Sequence, residues 1–314
     1  MKKRIILAFG GNAIDSGKNI PSAKNQMASC KIAAQSIIDL IKEGHEITIS
    51  HGNGPQVGAM LLQNEASDSD KLPAMPLDTL VASTEGMIGF WLQNAIYNLL
   101  RQNKINKDVC TIVSQVVVDI NDPAFKNPTK FIGPFYSEKE AKDLEAKKGY
   151  IVREDSGRGW RRVVPSPKPV DILEKNAIHK NLEMGHVVIA VGGGGIPVIE
   201  KNGLIEGVEA VIDKDHASRK LAELIDADIL LVLTGVEAVS INFGKPDQKQ
   251  LYNTTVSELE KYIQEKQFPA GSMLPKVEAA VAFVKSKPGR MSIITSLESA
   301  KDALKDNVGT KITS

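Results

Sequence analysis

The chain has 314 residues, 42% hydrophobic and 25% charged, and its 39 basic and 38 acidic residues leave a formal net charge of +1. That length accommodates one large α/β domain or two smaller ones, and the near-neutral balance excludes a global field favouring nucleic acid or an anionic membrane, so anion recognition must come from local clusters. Cys30 and Cys110 are the only cysteines and form no C-x-x-C pair, which argues against a disulfide framework and for a reducing cytosol.

From the N-terminus, MKKRIILAFGG has the outline of a signal peptide, but its apolar run covers only residues 5–9 before Gly10 and Gly11, too short for an h-region. Residues 4–9 are therefore read as a first strand. Gly10, Gly11 and Asn12 turn from it toward a helix, where consecutive backbone amides either face an anion or simply close a tight turn. Met27, Cys30, Ala34, Ile37, Ile38 and Ile41 recur at helical spacing, and Gly44 supplies a stop. A second apolar run at 46–50 completes a strand-helix-strand unit. HGNGPQVG, residues 51–58, follows as a longer and stiffer glycine-rich cradle suited to an anion.

Residues 83–100 are helical in pattern, with apolar positions from Met87 to Leu100 on more than one face, so burial on two sides is expected, within the core or across a subunit interface. Short, nearly continuous apolar runs at 109–118, 186–191, 228–233 and 291–295 suit further strands buried on both faces. Between 122 and 169 the texture changes to prolines, glycines, aromatics and charges. This predicts an inserted subdomain with a charged helix near 137–148 and a hairpin of 150–153 with 160–164, turning at Gly157 and Gly159. Lys130 lies in that insertion, which is suited to move as a lid. Arg158, Arg161 and Arg162, with Trp160 interleaved, resemble a nucleic-acid patch in isolation, but the neutral whole argues against one. No stretch approaches the roughly 18 consecutive apolar residues of a membrane span, so a soluble protein is expected.

Four successive glycines at 192–195 indicate backbone brought close to another group, or a flexible connection. Lys214 stands between Asp213 and Asp215, and most such triplets are simply a solvated turn or a helix start, so only the other motifs single it out. Lys276 follows Pro275 at the start of a helix, where an ammonium is unfavourable unless it turns away or an anion is bound. Lys130, Lys214 and Lys276 each adjoin a glycine-rich or turn-forming segment. Because phosphoryl transfer is mostly positioning and charge neutralisation, the set suggests a small-molecule kinase on a parallel sheet.

Common nucleotide and catalytic motifs are not met. GNAIDSGKN has one residue too many for a P-loop, and Asn19 stands in place of its hydroxyl; in HGNGPQVG, Val57 replaces the third glycine of a dinucleotide fingerprint. H-R-D, D-F-G and G-x-S-x-G are missing, and the five histidines show no ligand spacing, so no zinc site is expected.

FGGNA, HGNGPQVG, NDPAFKNPTKFIGPFY, EDSGRGWRRVVPSPKP, AVGGGGIPV, AVIDKDHAS, INFGKPDQK and GSMLPK, in this order, resemble the carbamate kinases of the amino-acid-kinase fold. The resemblance spans nearly the whole chain. The related N-acetylglutamate and glutamate kinases share the fold without the PAFKNPTKFIGPFY insertion. It implies an α/β fold, a three-layer αβα sandwich with a mainly parallel central sheet and a small protruding subdomain. One domain would cover 1–314, roughly 1–185 binding carbamate and phosphoryl and roughly 186–314 the nucleotide, with 122–169 as the lid.

The implied activity is reversible phosphoryl transfer between ATP and carbamate, with magnesium held mainly by the nucleotide phosphates, in a cytoplasmic homodimer with no nucleic-acid or membrane partner. By the same carry-over, Lys130 reaches toward carbamate or the moving phosphoryl group, Lys214 and Lys276 neutralise phosphate oxygens, and Asp215 orients those lysines. Gly10, Gly11, Asn12, Gly52, Asn53 and Gly54 would hold the substrate; Thr234, Gly235, Val236, Gly271, Ser272 and Met273 would border the nucleotide. Gly235 stands where the family usually has Asp, and Leu274 where it usually has Gly, which puts nucleotide affinity or base preference in question. In an arginine-fermenting cell such enzymes run toward ATP. Two alternatives remain: a same-fold kinase of a larger carboxylate such as N-acetylglutamate, and a non-catalytic nucleotide or metabolite sensor.

Overall fold

The computed structural model describes residues 2–10, 22–155, 157–305 and 308–314. Its backbone is organised by an eight-stranded sheet in the order Asn253–Thr255, Thr310–Thr313, Met291–Ser296, Ile229–Thr234, Arg4–Phe9, Glu46–His51, Val187–Ile189, Val109–Thr111. The six strands from Met291–Ser296 to Val109–Thr111 are mutually parallel, and Thr310–Thr313 joins antiparallel at one side. Strand side chains alternate between faces, so a strand covered on both sides needs apolar residues at every position. The first strand shows this directly: Ile5, Leu7 and Phe9 enter one core, Ile6 and Ala8 the other.

The first of these cores is closed by the helices Ala23–Lys42 and Leu77–Gln102, the second by Lys175–Glu183, Lys214–Leu224 and Leu274–Lys285. The result is an α/β sandwich of three layers. Ala23–Lys42 starts at Ser22, whose hydroxyl accepts from the Asn25 amide, and the chain leaves it through Gly44 at φ +84°. In Leu77–Gln102 the core takes Ile88, Trp91, Leu92, Ile96 and Leu100, while Phe90 remains 59% exposed. No helix among the described residues is long and apolar enough to cross a membrane.

One predicted strand divides. The 109–118 run becomes Val109–Thr111, at the margin of the main sheet, and Gln115–Val118, in a separate four-stranded sheet between Ile196–Lys201 and Pro169–Ile172. The change of direction falls at Ser114, whose hydroxyl donates to the Ile112 carbonyl at 2.7 Å. Apolarity persists through Ile112 and Val113, so pattern alone conceals the break.

Within 122–169, Lys130–Tyr136, Trp160–Val164 and Val152–Glu154 form an antiparallel sheet, with Glu138–Lys148 as a capping-box helix beside it. Its attachment to the body is apolar: Ile132 and Val164 pack with Val57, Leu61, Leu77, Leu80, Val81 and Val211. The basic group on it is internally paired. Arg158 and Arg161 share Asp155, and Arg162 reaches Glu209 and lies 3.7 Å from the centre of the Tyr150 ring.

Candidate active site

Parallel strands end on one edge of the sheet, and the connections there create a crevice. Gly10, Gly52, the 192–195 turn and Thr234 all occupy that edge. Across from it, the helix Lys214–Leu224 is capped by Asp213, whose side chain accepts from the Asp215 amide at 2.9 Å. This cap places Lys214 and Asp215 in the first turn, pointing into a cleft of about 250 Å³. The helix Leu274–Lys285 begins with Pro275 in its first turn and brings Lys276 to the same cleft. Lys130, at the start of its strand in the inserted sheet, closes it from above.

The three lysines are thus gathered from separate elements around two carboxylates. Lys130 Nζ donates to Asp213 Oδ2 at 2.8 Å, and Lys276 Nζ to Asp215 Oδ2 at 2.9 Å. Lys214 Nζ lies 2.7 Å from Asp215 Oδ1, but off the angle of a hydrogen bond, so this buried ammonium keeps donors to spare. The DKD triplet is therefore no solvated turn: the Lys214 and Asp215 side chains are 10% and 4% exposed. Arg161 also lines the cleft but is held by Asp155, so among the described residues three lysines face Asp213 and Asp215, leaving one positive charge uncompensated. An excess of positive charge in such a cleft suits an anion.

The titration behaviour follows from that crowding. Burial pushes Lys214 below the ordinary lysine value, with Lys276 adding to the effect and Asp215 opposing it. Burial would raise Asp215, yet Lys214 and Lys276 hold it below the usual carboxylate range. Asp213 is likewise held low by Lys130 against its own burial. His51 is pushed down to about 4, chiefly by burial, with Lys214 adding to the effect while a contact with the Gly52 carbonyl opposes it. It is a neutral imidazole beside the cleft.

The HGNGPQVG segment is shorter as a loop than its sequence suggests. His51 ends a strand and Gly54 begins the helix Gly54–Ser67, leaving Gly52 and Asn53 as the connection; Gly52, Asn53 and Gly54 all line the cleft. The four glycines approach the protein's own atoms. A Cβ on Gly192 would fall 2.4 Å from His51 Nε2, one on Gly193 2.2 Å from Asn53 Nδ2, and one on Gly194 2.2 Å from the Ile212 carbonyl oxygen. Gly193 also faces the cleft.

A second pocket of about 510 Å³ adjoins the first and shares Gly271, Ser272 and Lys276 with it. Thr234, Gly235, Val236 and Met273 line this larger pocket, and so does Gly10, which the resemblance assigned to the smaller substrate. Gly11 and Asn12 lie outside the described residues. Sequence reasoning missed Phe243, Gln248 and Gln250, carried on and around the hairpin Val239–Ile241 with Lys249–Leu251, and gave no site role to Arg161. The hairpin's Gly244, Lys245 and Lys249 do not form a glycine-rich turn between strand and helix of the kind that marks the other loops, although INFGKPDQK belongs to the resembling segments. The smaller cleft takes residues from both sides of position 185.

A profile of the amino acid kinase family matches residues 3–295. The chain belongs to the amino acid kinase family. Among its curated relatives, carbamate kinase 1 of Enterococcus faecium is 55% identical over all of both chains, and the carbamate kinase of Clostridium perfringens is 53% identical over 98% of this chain and 99% of its own. Among solved structures, carbamate kinase from Giardia lamblia bound to AMP-PNP superposes with a TM-score of 0.93 at 43% identity, covering 99% of this chain and 98% of that one.

Proposed function

We propose that this family member is a carbamate kinase, transferring a phosphoryl group between ADP and carbamoyl phosphate. The observation that carries the reading is the convergence of Lys130, Lys214 and Lys276 on one cleft that opens, past Lys276, into a pocket large enough for a nucleotide. The carbamate kinase relatives of full length support the choice of substrate.

Carbamate is already an anion, so no general base has to remove a proton before its oxygen attacks phosphorus. In the ATP-forming direction the bond from phosphorus to the carbamate oxygen breaks, and a bond to the terminal oxygen of ADP forms. Repulsion between the anionic groups is the main obstacle, and compact ammonium charges in a water-poor cleft reduce it. Lys276, in the wall common to both cavities, stays beside the phosphoryl group as it passes. Lys214 offers its unspent donors from the helix start, and Asp215 holds both amines. The backbone amides of Asn53 and Gly54, where a helix begins, suit the phosphoryl oxygens, that of Gly52 being donated to the Phe9 carbonyl at 3.1 Å.

Magnesium enters with the nucleotide, as part of the substrate. Residues 122–169 act as a lid in this reading, closing Lys130 over a small substrate, and the ATP-forming direction serves arginine fermentation in a cytoplasmic homodimer; these finer points rest on the resemblance. ATP formation from ADP, magnesium and carbamoyl phosphate, run beside N-acetylglutamyl phosphate, tests the proposal. Turnover of carbamoyl phosphate is expected. Turnover of N-acetylglutamyl phosphate alone would transfer the assignment to a larger carboxylate, and nucleotide binding without any turnover would make the chain a sensor.

A further inference from the structure

Two polar residues of the long helix Leu77–Gln102 lie beneath the smaller cleft without lining it. Thr84 and Glu85 are 0% and 1% exposed, in a helix otherwise packed by apolar side chains. A buried polar group is retained without penalty only when its hydrogen bonds are made. Thr84 makes its bonds, one of them to the cleft wall, while Glu85 bonds through Oε2 and its buried Oε1 has no partner among the described residues. Thr84 Oγ1 accepts from Asn53 Nδ2 at 2.9 Å and donates to the Val81 carbonyl at 2.7 Å. Glu85 Oε2 accepts from the Ser114 amide at 2.8 Å.

Ser114 passes the constraint on. Its hydroxyl accepts from the Val191 amide at 2.9 Å, and its carbonyl accepts from Ile196 at 2.8 Å, so it ties both ends of the glycine turn. Val191 has φ +48°, a conformation a β-branched residue adopts only when held there. Gly193, in the middle of the turn, abuts the Asn53 carboxamide so closely that no side chain fits between them. Asn53 and Gly193 are thus two touching parts of the cleft wall, one anchored by Thr84 and the other, through Ser114 and Val191, by Glu85.

We propose that Thr84 and Glu85 are positioning residues that fix Asn53 and the 192–195 turn in register with each other, and so set the affinity for the phosphorylated substrate without touching it. Burial pushes the Glu85 carboxyl well above its usual range, with the Ser114 amide opposing.

The inference rests on the carbamate kinase reading, and its test separates the two. Steady-state kinetics of the full chain with ADP, magnesium and carbamoyl phosphate are to be compared for wild type, Thr84→Val, Thr84→Ser, Glu85→Leu and Glu85→Gln. Losing one buried hydrogen bond should raise KM for carbamoyl phosphate about fivefold in Thr84→Val, with KM for ADP within about twofold of wild type because the larger pocket is untouched. Thr84→Ser restores the acceptor and should return toward wild type. Glu85→Leu should behave as Thr84→Val or worse, whereas Glu85→Gln keeps a carbonyl oxygen for Ser114 and should stay near wild type. A purely structural role would lower the active fraction, and hence kcat, leaving both KM values alone; that result, or parallel rises in both KM values, overturns the proposal. Calorimetric titration with inorganic phosphate gives an arm independent of turnover: weaker binding in Thr84→Val than in wild type supports the network and equal binding refutes it. Failure of wild type to form ATP from carbamoyl phosphate would count against the functional reading alone.

Discussion

The two adjoining cavities are built on opposite principles. The smaller is lined by six ionisable side chains, with Lys130, Lys276 and Arg161 hydrogen-bonded to neighbouring carboxylates and Lys214 held beside Asp215. The larger is lined by small, apolar and uncharged polar residues, with Lys276 the only charged one among the described residues. In the proposed reaction, charge is concentrated where the phosphoryl group would move, and the remainder of the nucleotide would be left to shape and weak polar contact. Substitutions in the two cavities should therefore fail in different kinetic parameters.

The sharpest break is expected at the shared wall and its neighbour. Lys214→Ala or Lys276→Ala should each lower kcat about a hundredfold or more, about 3 kcal/mol of lost transition-state stabilisation. Near-normal turnover in both would remove the basis for their role. Lys130→Ala comes next. Because Lys130 is half exposed and reaches in from the inserted sheet, about a tenfold loss of kcat/KM for carbamoyl phosphate is expected, with KM for ADP unchanged.

On the other side, Phe243 is 66% exposed at the rim of the larger pocket, where an aromatic face suits a nucleobase. Phe243→Ala should raise KM for ADP about fivefold and leave KM for carbamoyl phosphate alone. If both KM values respond together to Phe243→Ala or Lys130→Ala, the division between the cavities is wrong.

The smallest effect concerns stability. His51 is depressed to about 4 in the folded protein, against an ordinary value of 6.5. As pH falls through 6.5 the unfolded chain takes up a proton that the folded one refuses, so stability declines across that window and levels off below about 4. Between pH 7 and pH 5.5 this amounts to about 1 kcal/mol. Urea unfolding at both pH values should show a shallower decline in His51→Gln than in wild type, and equal slopes would remove His51 as the source.

Much of this was legible in the sequence, for identifiable reasons. The strand Arg4–Phe9 announces itself because burial on both faces demands apolar residues at every position. The lysines stand out only as a set, because each glycine, proline or aspartate neighbour taken alone has an ordinary structural reading. The strand Lys130–Tyr136 was not read as one, because Gly133 and Pro134 interrupt it; Gly133 has φ +69°, and the pairing shifts register between Ile132 and Tyr136. Thr84 and Glu85 were hidden for a different reason. A polar pair in an amphipathic helix ordinarily faces water, and only tertiary contact reveals that this pair faces Asn53 and Ser114.

The central claim is that amines from separate elements surround a single phosphoryl group in transit. A crystal structure of the protein with ADP, magnesium and a planar metal fluoride in place of that group tests it most directly. The account predicts Lys214 and Lys276 Nζ within about 3 Å of the fluoride, with Lys130 released from Asp213 and turned toward it. Fluoride bound in the cleft while Lys214 and Lys276 remain turned away on Asp215 would contradict it.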